Sequence, residues 1–128
     1  MDSWFANPES RVSAHYGVGK DGTIHQYVDE EHSAWHCGIT NRPTWSLLNP
    51  YINQNQITIG IEHVGWTGEE WTDSMYRADA FLVKRAAERW GFPVDELHVI
   101  EHAELDSVTR NRCPGAGFSK QRLLEMLR

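Results

Sequence analysis

The segment Asp73–Trp90 limits the possible folds of this chain more than any other. Its apolar residues recur at helical spacing, at Met75, Ala78, Leu82, Ala86 and Trp90. Thr72 can cap the start of this helix, and Gly91 and Pro93 end it. The sequence therefore predicts one long amphipathic helix.

Four shorter segments rich in β-branched and apolar residues predict strands, at 12–18, 23–28, 56–64 and 97–100. Asp21 and Gly22 between the first two strands indicate a hairpin. A closing helix is predicted over 119–128, and residues 2–10 are typical of a helix end. Strands that alternate with helices predict an α/β fold, with a central mixed β-sheet and helices on both faces.

Length and charge exclude several classes of protein. At 128 residues, the chain is predicted to be a single domain, 1–128. The 12 Lys and Arg residues against 18 Asp and Glu residues leave a formal charge of -6, which argues against nucleic acid or a membrane as partner. Because the chain has no apolar run of membrane-spanning length and no signal-peptide pattern, we expect synthesis in the cytoplasm.

His102 and Cys113 are the first candidates for a functional site. His102 follows the predicted strand 97–100, and Cys113 precedes a Pro114-Gly115 turn. Imidazole nitrogen and thiolate sulfur are good zinc ligands, and catalytic zinc sites use three protein ligands and a water. The alternative is a capping histidine and a small buried thiol, and spacing alone does not decide between the two.

Glu62 is the second candidate, because it is a carboxylate within the mostly apolar segment 56–64. Burying a carboxylate is costly unless it is paired or has a function. A pocket that desolvates this group would raise its pKa toward that of a useful general base. Strand alternation places Glu62 on the face opposite Ile59 and Ile61, so an outward-pointing side chain at the sheet edge is the alternative.

The third candidate is the head of a long irregular segment, 32–50, in which Trp35 and His36 precede Cys37 and Gly38. A loop of this length inside a small domain is usually functional. Tryptophan and histidine beside a glycine suit a rim that stacks on a sugar or a peptide. The alternative is a loop that Trp35 anchors in the core.

Taken in order along the chain, these segments resemble one known family. The motifs are Val12-Ser13-Ala14-His15-Tyr16, Asp21-Gly22-Thr23-Ile24, Ala34-Trp35-His36-Cys37-Gly38, Asn55 before Ile59-Gly60-Ile61-Glu62, His102-Ala103-Glu104 and Cys113-Pro114-Gly115. Their order resembles that of the zinc-dependent N-acetylmuramoyl-L-alanine amidases of the type-2 family. This family includes phage lysozyme-like amidases, muropeptide-recycling amidases and peptidoglycan recognition proteins, and the resemblance covers essentially the whole chain.

The resemblance implies hydrolysis of the amide between the lactyl group of N-acetylmuramic acid and L-alanine of the stem peptide, with peptidoglycan or a muropeptide as substrate. It implies Zn2+ as cofactor, with His102 and Cys113 as two of its ligands. Glu62 matches the acidic residue that activates water in many members. The residues expected to border the substrate are Trp35, His36, Asn55 and Arg112, and for Asn55 the resemblance leaves a structural role as the alternative to the rim.

The sequence departs from the family pattern at two places. The family's first zinc ligand is a histidine on a strand well ahead of the Ser-Ala-His-Tyr motif, and no histidine precedes His15 in this chain. We therefore expect the family's N-terminal strand to be absent here and zinc to be held weakly. Asn111 stands where several members carry a lysine near the reacting carbonyl, and Arg110 and Arg112 flank it.

These departures leave three functions open. The first is a peptidoglycan amidase that uses zinc-activated water. The second is a non-catalytic module that binds peptidoglycan, and the third is an N-terminally truncated fragment of an active amidase. A phage lysin of the endolysin type and a recycling enzyme both agree with a chain that carries no targeting signal.

Overall fold

In the computed structural model, short strands and helices accompany one long helix. The structure describes residues 14–37, 40–65, 69–110 and 112–128. The elements in chain order are β1 (Tyr16–Val18), β2 (Ile24–Gln26), a 3-10 turn (Gln54–Gln56), β3 (Ile61–His63), α1 (Asp73–Trp90), α2 (His102–Leu105) and α3 (Lys120–Met126). The helix end predicted at 2–10, together with Val12, Ser13, Gly38 and Asn111, lies outside the described residues.

The described strands form a mixed three-stranded sheet in the order β2-β1-β3. β1 and β2 are antiparallel, with Gly17 opposite His25, and the turn between them contains Gly22 at a φ of 86°. β1 and β3 are parallel, with Gly17 opposite Glu62. The predicted hairpin and the predicted mixed α/β sheet are therefore confirmed.

α1 begins and ends where the sequence predicts. The Thr72 hydroxyl accepts a hydrogen bond from the N–H of Met75 at 3.1 Å, and Gly91 ends the helix in the left-handed region at a φ of 75°. The buried face of α1 contacts β1 and α3. The buried core comprises Val18, Trp71, Met75, Tyr76, Ala78, Leu82 and Leu123. No described helix is both long enough and apolar enough to cross a membrane.

Trp90 is an exception to the predicted apolar face of α1, since 49% of its surface is exposed. It lies in the last turn of the helix, directly before Gly91, and its indole Nε1 donates a hydrogen bond to the Glu30 carboxylate at 2.7 Å. An indole with a polar N–H is stable where one edge meets polar groups. The helical spacing therefore places Trp90 correctly on the helix, but it does not show that the apolar face is only half-buried at its last turn.

All three strands are shorter than the sequence predicts, and in the first one the described residues Ala14 and His15 precede β1. β2 is confined to Ile24–Gln26, and β3 begins at Ile61 instead of residue 56. Ahead of β3, the Asn53 side chain caps the 3-10 turn by accepting the N–H of Asn55 at 2.9 Å. A side chain that bonds to nearby backbone competes with strand pairing, so the turn replaces the start of the predicted strand.

The strand predicted over 97–100 is not formed, and that prediction is wrong. The Asp95 carboxylate accepts the N–H groups of Leu97 and His98, both at 3.0 Å, which holds this segment in a turn. The closing helix is present as α3, and the Ser119 side chain caps it by accepting the N–H of Arg122. The closing helix is therefore predicted correctly, whereas the local turn at Asp95 was overlooked.

Candidate active site

A cavity of about 720 Å³ lies beside β3 and brings together residues from distant parts of the sequence. Glu62, His102 and Cys113, the three residues expected to carry the chemistry, all line it. His36 and Asn55 line it as well. Five of the seven predicted site residues therefore meet at this one cavity.

Glu62 reaches the cavity from β3, and its side chain is partly buried. Burial raises the pKa of Glu62 above its ordinary value, while the charges of His63, His102 and Arg110 act in the opposite direction. A carboxyl group with a raised pKa accepts a proton at a pH closer to neutral. Glu62 thus has the electrostatic setting of a general base, unlike a freely solvated carboxylate at a sheet edge.

His102 is the first residue of α2, and a backbone carbonyl fixes the orientation of its ring. Its Nε2 lies 2.6 Å from the carbonyl oxygen of Cys37. Because a carbonyl oxygen only accepts, Nε2 carries a proton, and in the neutral ring Nδ1 then carries the lone pair. Metal-binding histidines are commonly oriented by such a bond from the ring nitrogen that faces away from the metal.

Cys113 lies in a loop that is hydrogen-bonded to the start of α2. Its N–H donates to the carbonyl of Arg110 at 3.0 Å, and its carbonyl accepts the N–H of Ala103 at 3.1 Å. Burial, followed by the negative charge of Glu62, raises the pKa of the Cys113 thiol. The thiol is therefore mainly protonated near neutral pH unless a cation stabilises the thiolate.

The two donors agree with zinc in chemistry but not yet in number. His102 and Cys113 supply a nitrogen and a sulfur, the donor types that zinc prefers. Within the described ranges, no group of three His, Cys, Asp or Glu side chains is arranged to hold a metal ion. Catalytic zinc has three protein ligands, and His102 and Cys113 are candidates for two of them.

His36 packs directly against the backbone that precedes β3. A Cβ atom at Gly60 would lie 2.3 Å from the His36 ring, so this contact requires a glycine. The His36 Nε2 is 3.1 Å from the hydroxyl of Thr58, which itself donates to the Gln54 carbonyl. Burial, followed by the effect of His15, lowers the pKa of His36 to about 4. His36 is therefore a neutral, packed side chain near pH 7.

Asn55 is more buried than a residue at the rim of a groove. Only 8% of its surface is exposed. Its Oδ1 accepts two hydrogen bonds from consecutive backbone groups, the N–H of His36 at 3.1 Å and the N–H of Cys37 at 2.9 Å. The structure thus places Asn55 against the backbone of other site residues.

Trp35 and Arg112 do not line the cavity. Trp35 is 56% exposed, so it is not the core anchor of the alternative interpretation, and Arg112 is exposed as well. Their contacts with substrate stay predictions. Arg110, also exposed, is the arginine whose charge acts on both Glu62 and Cys113.

Two parts of the site were missed by reasoning from the sequence. One is Gly60, for which a signal existed, since a glycine within a β-branched segment indicates close approach of another group. The other is the carbonyl of Cys37 that holds His102. No side-chain pattern reports a backbone carbonyl, so this contact had no sequence signal.

Comparison with known proteins places these residues in a family. The family model described as N-acetylmuramoyl-L-alanine amidase matches residues 1–116. N-acetylmuramoyl-L-alanine amidase A of Achromobacter lyticus is 41% identical over 92 residues, which is 70% of this chain and 44% of that protein. The chain spans about half the length of the curated relatives it matches.

Two solved structures have the same fold. A selenomethionine derivative of AmpD is 27% identical, with a TM-score of 0.77 over 98% of this chain and 72% of that one. The amidase AmiD from E. coli, in complex with anhydro-N-acetylmuramic acid-L-Ala-D-gamma-Glu-L-Lys, is also 27% identical, with a TM-score of 0.72. That match covers 90% of this chain and 48% of AmiD.

Proposed function

The chain belongs to the N-acetylmuramoyl-L-alanine amidase family, and on this basis we propose that it hydrolyses the amide between the lactyl group of N-acetylmuramic acid and L-alanine of the stem peptide. The substrate class is peptidoglycan or a soluble muropeptide. A structural neighbour whose structure contains an anhydromuramyl peptide supports this class. The observation that carries the proposal is the common cavity of Glu62, His102 and Cys113.

Glu62 is the proposed general base. With its pKa raised by burial, it takes a proton from the attacking water as the water oxygen bonds to the amide carbon. It then delivers this proton to the alanine nitrogen as the carbon–nitrogen bond breaks. The carboxylate returns to its starting state, and the products are a muramyl carboxylic acid and a free peptide amine.

His102 and Cys113 are the residues that would hold zinc. When bound, zinc supplies a Lewis acid for the scissile carbonyl and for water. His102 is suited to this role because the Cys37 carbonyl keeps its proton on Nε2. Cys113 has to lose its thiol proton on binding, so we expect zinc affinity to rise with pH.

Arg110 is the proposed source of positive charge for the oxyanion that develops on the scissile carbonyl. Its charge lowers the pKa of both Glu62 and Cys113, which supports this role. Cations aimed at developing negative charge are a common source of transition-state stabilisation.

A cleavage assay with two substrates tests this function. The purified chain is incubated with excess zinc and either a soluble anhydromuramyl peptide or insoluble peptidoglycan, and the products are identified by mass spectrometry. We expect a free peptide that begins with L-alanine. Preference for the soluble substrate would indicate a recycling role and preference for the polymer a lytic one, whereas cleavage at another bond would contradict the proposal.

A peptidoglycan-binding module is the second candidate function. It is favoured by the finding that the described residues include no group of three side chains able to hold a metal ion. A pure binder would retain muropeptide with similar affinity in the presence of zinc or of a chelator, and it would release no peptide. Binding without release at saturating zinc would decide for this second function.

A further inference from the structure

Cys37 is held at both of its backbone polar groups, and this links Asn55 to His102. The Cys37 N–H donates to Asn55 Oδ1 at 2.9 Å, and its carbonyl accepts the Nε2–H of His102 at 2.6 Å. The neighbouring N–H of His36 donates to the same amide oxygen at 3.1 Å. Asn55 and His102 are 47 positions apart in the sequence, yet one peptide segment connects them.

The backbone of Asn55 is itself held in place. Its backbone N–H donates to Asn53 Oδ1 at 2.9 Å, within the 3-10 turn Gln54–Gln56. Asn55 is buried, and an amide oxygen with two lone pairs is fully used by two N–H donors. The acceptor that fixes the His36–Cys37 segment therefore has little freedom to move.

We propose that Asn55 is a positioning residue for His102. By holding two consecutive N–H groups, it aims the Cys37 carbonyl at Nε2 of His102 and so keeps the lone pair on Nδ1. The consequence of this inference for zinc binding rests on the proposed function, because an oriented lone pair on Nδ1 matters most if His102 binds zinc. It favours the structural role for Asn55 over the contact with substrate.

The direct test measures the His102 tautomer in the metal-free protein. Histidine is labelled with nitrogen-15, and long-range proton–nitrogen spectra at alkaline pH report which ring nitrogen carries the proton, with His102→Gln used to assign the signal. We expect a single Nε2–H form in the unchanged protein. In Asn55→Ala we expect a mixture of both tautomers, and in Asn55→Asp, which keeps the acceptor oxygen, the Nε2–H form.

Thr58→Val is the matched control. Thr58 contacts the His36 ring and the Cys37 thiol in the same cluster, at 3.1 Å and 3.4 Å, and its hydroxyl donates to the Gln54 carbonyl. We expect it to lower the melting temperature while His102 stays in the Nε2–H form. If Thr58→Val mixes the tautomers as much as Asn55→Ala does, the effect is general loosening and the proposal is wrong.

Zinc affinity, measured by competition with a chromophoric chelator, is the second readout. We expect Asn55→Ala to weaken binding about tenfold, the lower end of the range for residues that orient a metal ligand. Unchanged tautomer and unchanged affinity would overturn the proposal. If the unchanged protein binds no zinc, the tautomer alone decides on Asn55, and the metal part of the proposed function fails separately.

Should Asn55→Ala not fold, Asn55→Gln takes its place. This variant displaces the oxygen by one methylene, and we expect the same mixture of tautomers.

Discussion

Along α1, Tyr76 and Ala78 are buried in one core cluster with Val18 and Leu123, whereas at the cavity His102 is held by a hydrogen bond to a backbone carbonyl. The first region is stabilised by apolar area removed from water and by helical hydrogen bonds between near neighbours. The second depends on contacts between polar groups far apart in the sequence. The two regions therefore differ in which substitutions they tolerate.

The difference follows from what each region has to do. Packing in the α1 region tolerates similar side chains of similar volume, because dispersion and burial are not directional. A general base, the role proposed for Glu62, has to be partly desolvated and still accessible, which lowers stability. The stability of the α1 region offsets this cost, and each of the following predictions tests that division.

Glu62→Gln is expected to have the largest effect, and only on activity. The amide has nearly the same shape as the carboxylate but cannot accept the proton, so turnover of muropeptide should fall roughly 100- to 10,000-fold. Peptide release followed by mass spectrometry measures this loss, and circular dichroism checks the fold. Turnover at an unchanged rate would remove Glu62 from the mechanism.

The same variant should not lose stability at neutral pH. The pKa of Glu62 is raised in the folded protein, so between its unfolded and folded values the folded protein binds more protons than the unfolded chain. The free energy of unfolding contributed by Glu62 therefore falls as pH rises through this window, and glutamine avoids that loss. Urea unfolding at neutral pH should give Glu62→Gln a midpoint equal to or above that of the unchanged protein.

Leu123→Ala is expected to lower the free energy of unfolding and to leave activity per folded molecule unchanged. Leu123 is 1% exposed and joins α3 to the core, and truncating a buried leucine costs about 2 to 5 kcal/mol. Activity per folded molecule should stay the same below the unfolding transition. Leu123→Met, which conserves volume, should cost less than about 1.5 kcal/mol. A loss of specific activity in folded Leu123→Ala would show that the two regions are not separable.

Gly60→Ala should affect both stability and activity, because it lies where the sheet meets the cavity. The new Cβ would lie 2.3 Å from the His36 ring, and overpacking of this kind costs about 1 to 3 kcal/mol. Displacing His36 also moves the segment that orients His102. His36→Ala combined with Gly60→Ala tests the cause, since the methyl group should then cost little. An equal cost in both backgrounds would contradict the steric explanation.

The α1 region was the more predictable one because its signals are local. Thr72, Gly91 and the apolar residues between them lie within one segment, and each acts on backbone a few residues away. The strand wrongly predicted at 97–100 also lies beside a local signal. The Asp95 carboxylate accepts the N–H of Leu97 and holds the segment in a turn, and this signal was overlooked. Trp90 shows the limit of periodicity, which gives the face of a helix but not how far the core extends.

The site was less predictable because its geometry joins distant segments. Spacing left the roles of Glu62, His102 and Cys113 open, and the resemblance to the amidase family was needed to group them. It left Asn55 as a structural or a rim residue, and the structure buries this side chain against two backbone N–H groups. Contacts of side chains with remote backbone leave no periodic pattern, so they become visible only in three dimensions.

Thr72→Ala should have the smallest effect of these substitutions. It tests whether a small loss of stability at the start of α1 changes activity at the cavity. The Thr72 hydroxyl accepts the N–H of Met75 at 3.1 Å and donates to the Lys20 carbonyl at 2.6 Å, so it joins the start of α1 to the β1–β2 hairpin. Loss of a cap costs about 1 kcal/mol, and Thr72→Ser, which keeps the hydroxyl, should recover most of it. Because the bond to Lys20 involves the hairpin and not β3, peptide release per folded molecule should be unchanged. Urea unfolding and the cleavage assay, run on the same preparations, separate the effect on stability from the effect on activity. A loss of activity larger than the loss of folded protein would show that the cap of α1 also positions the cavity.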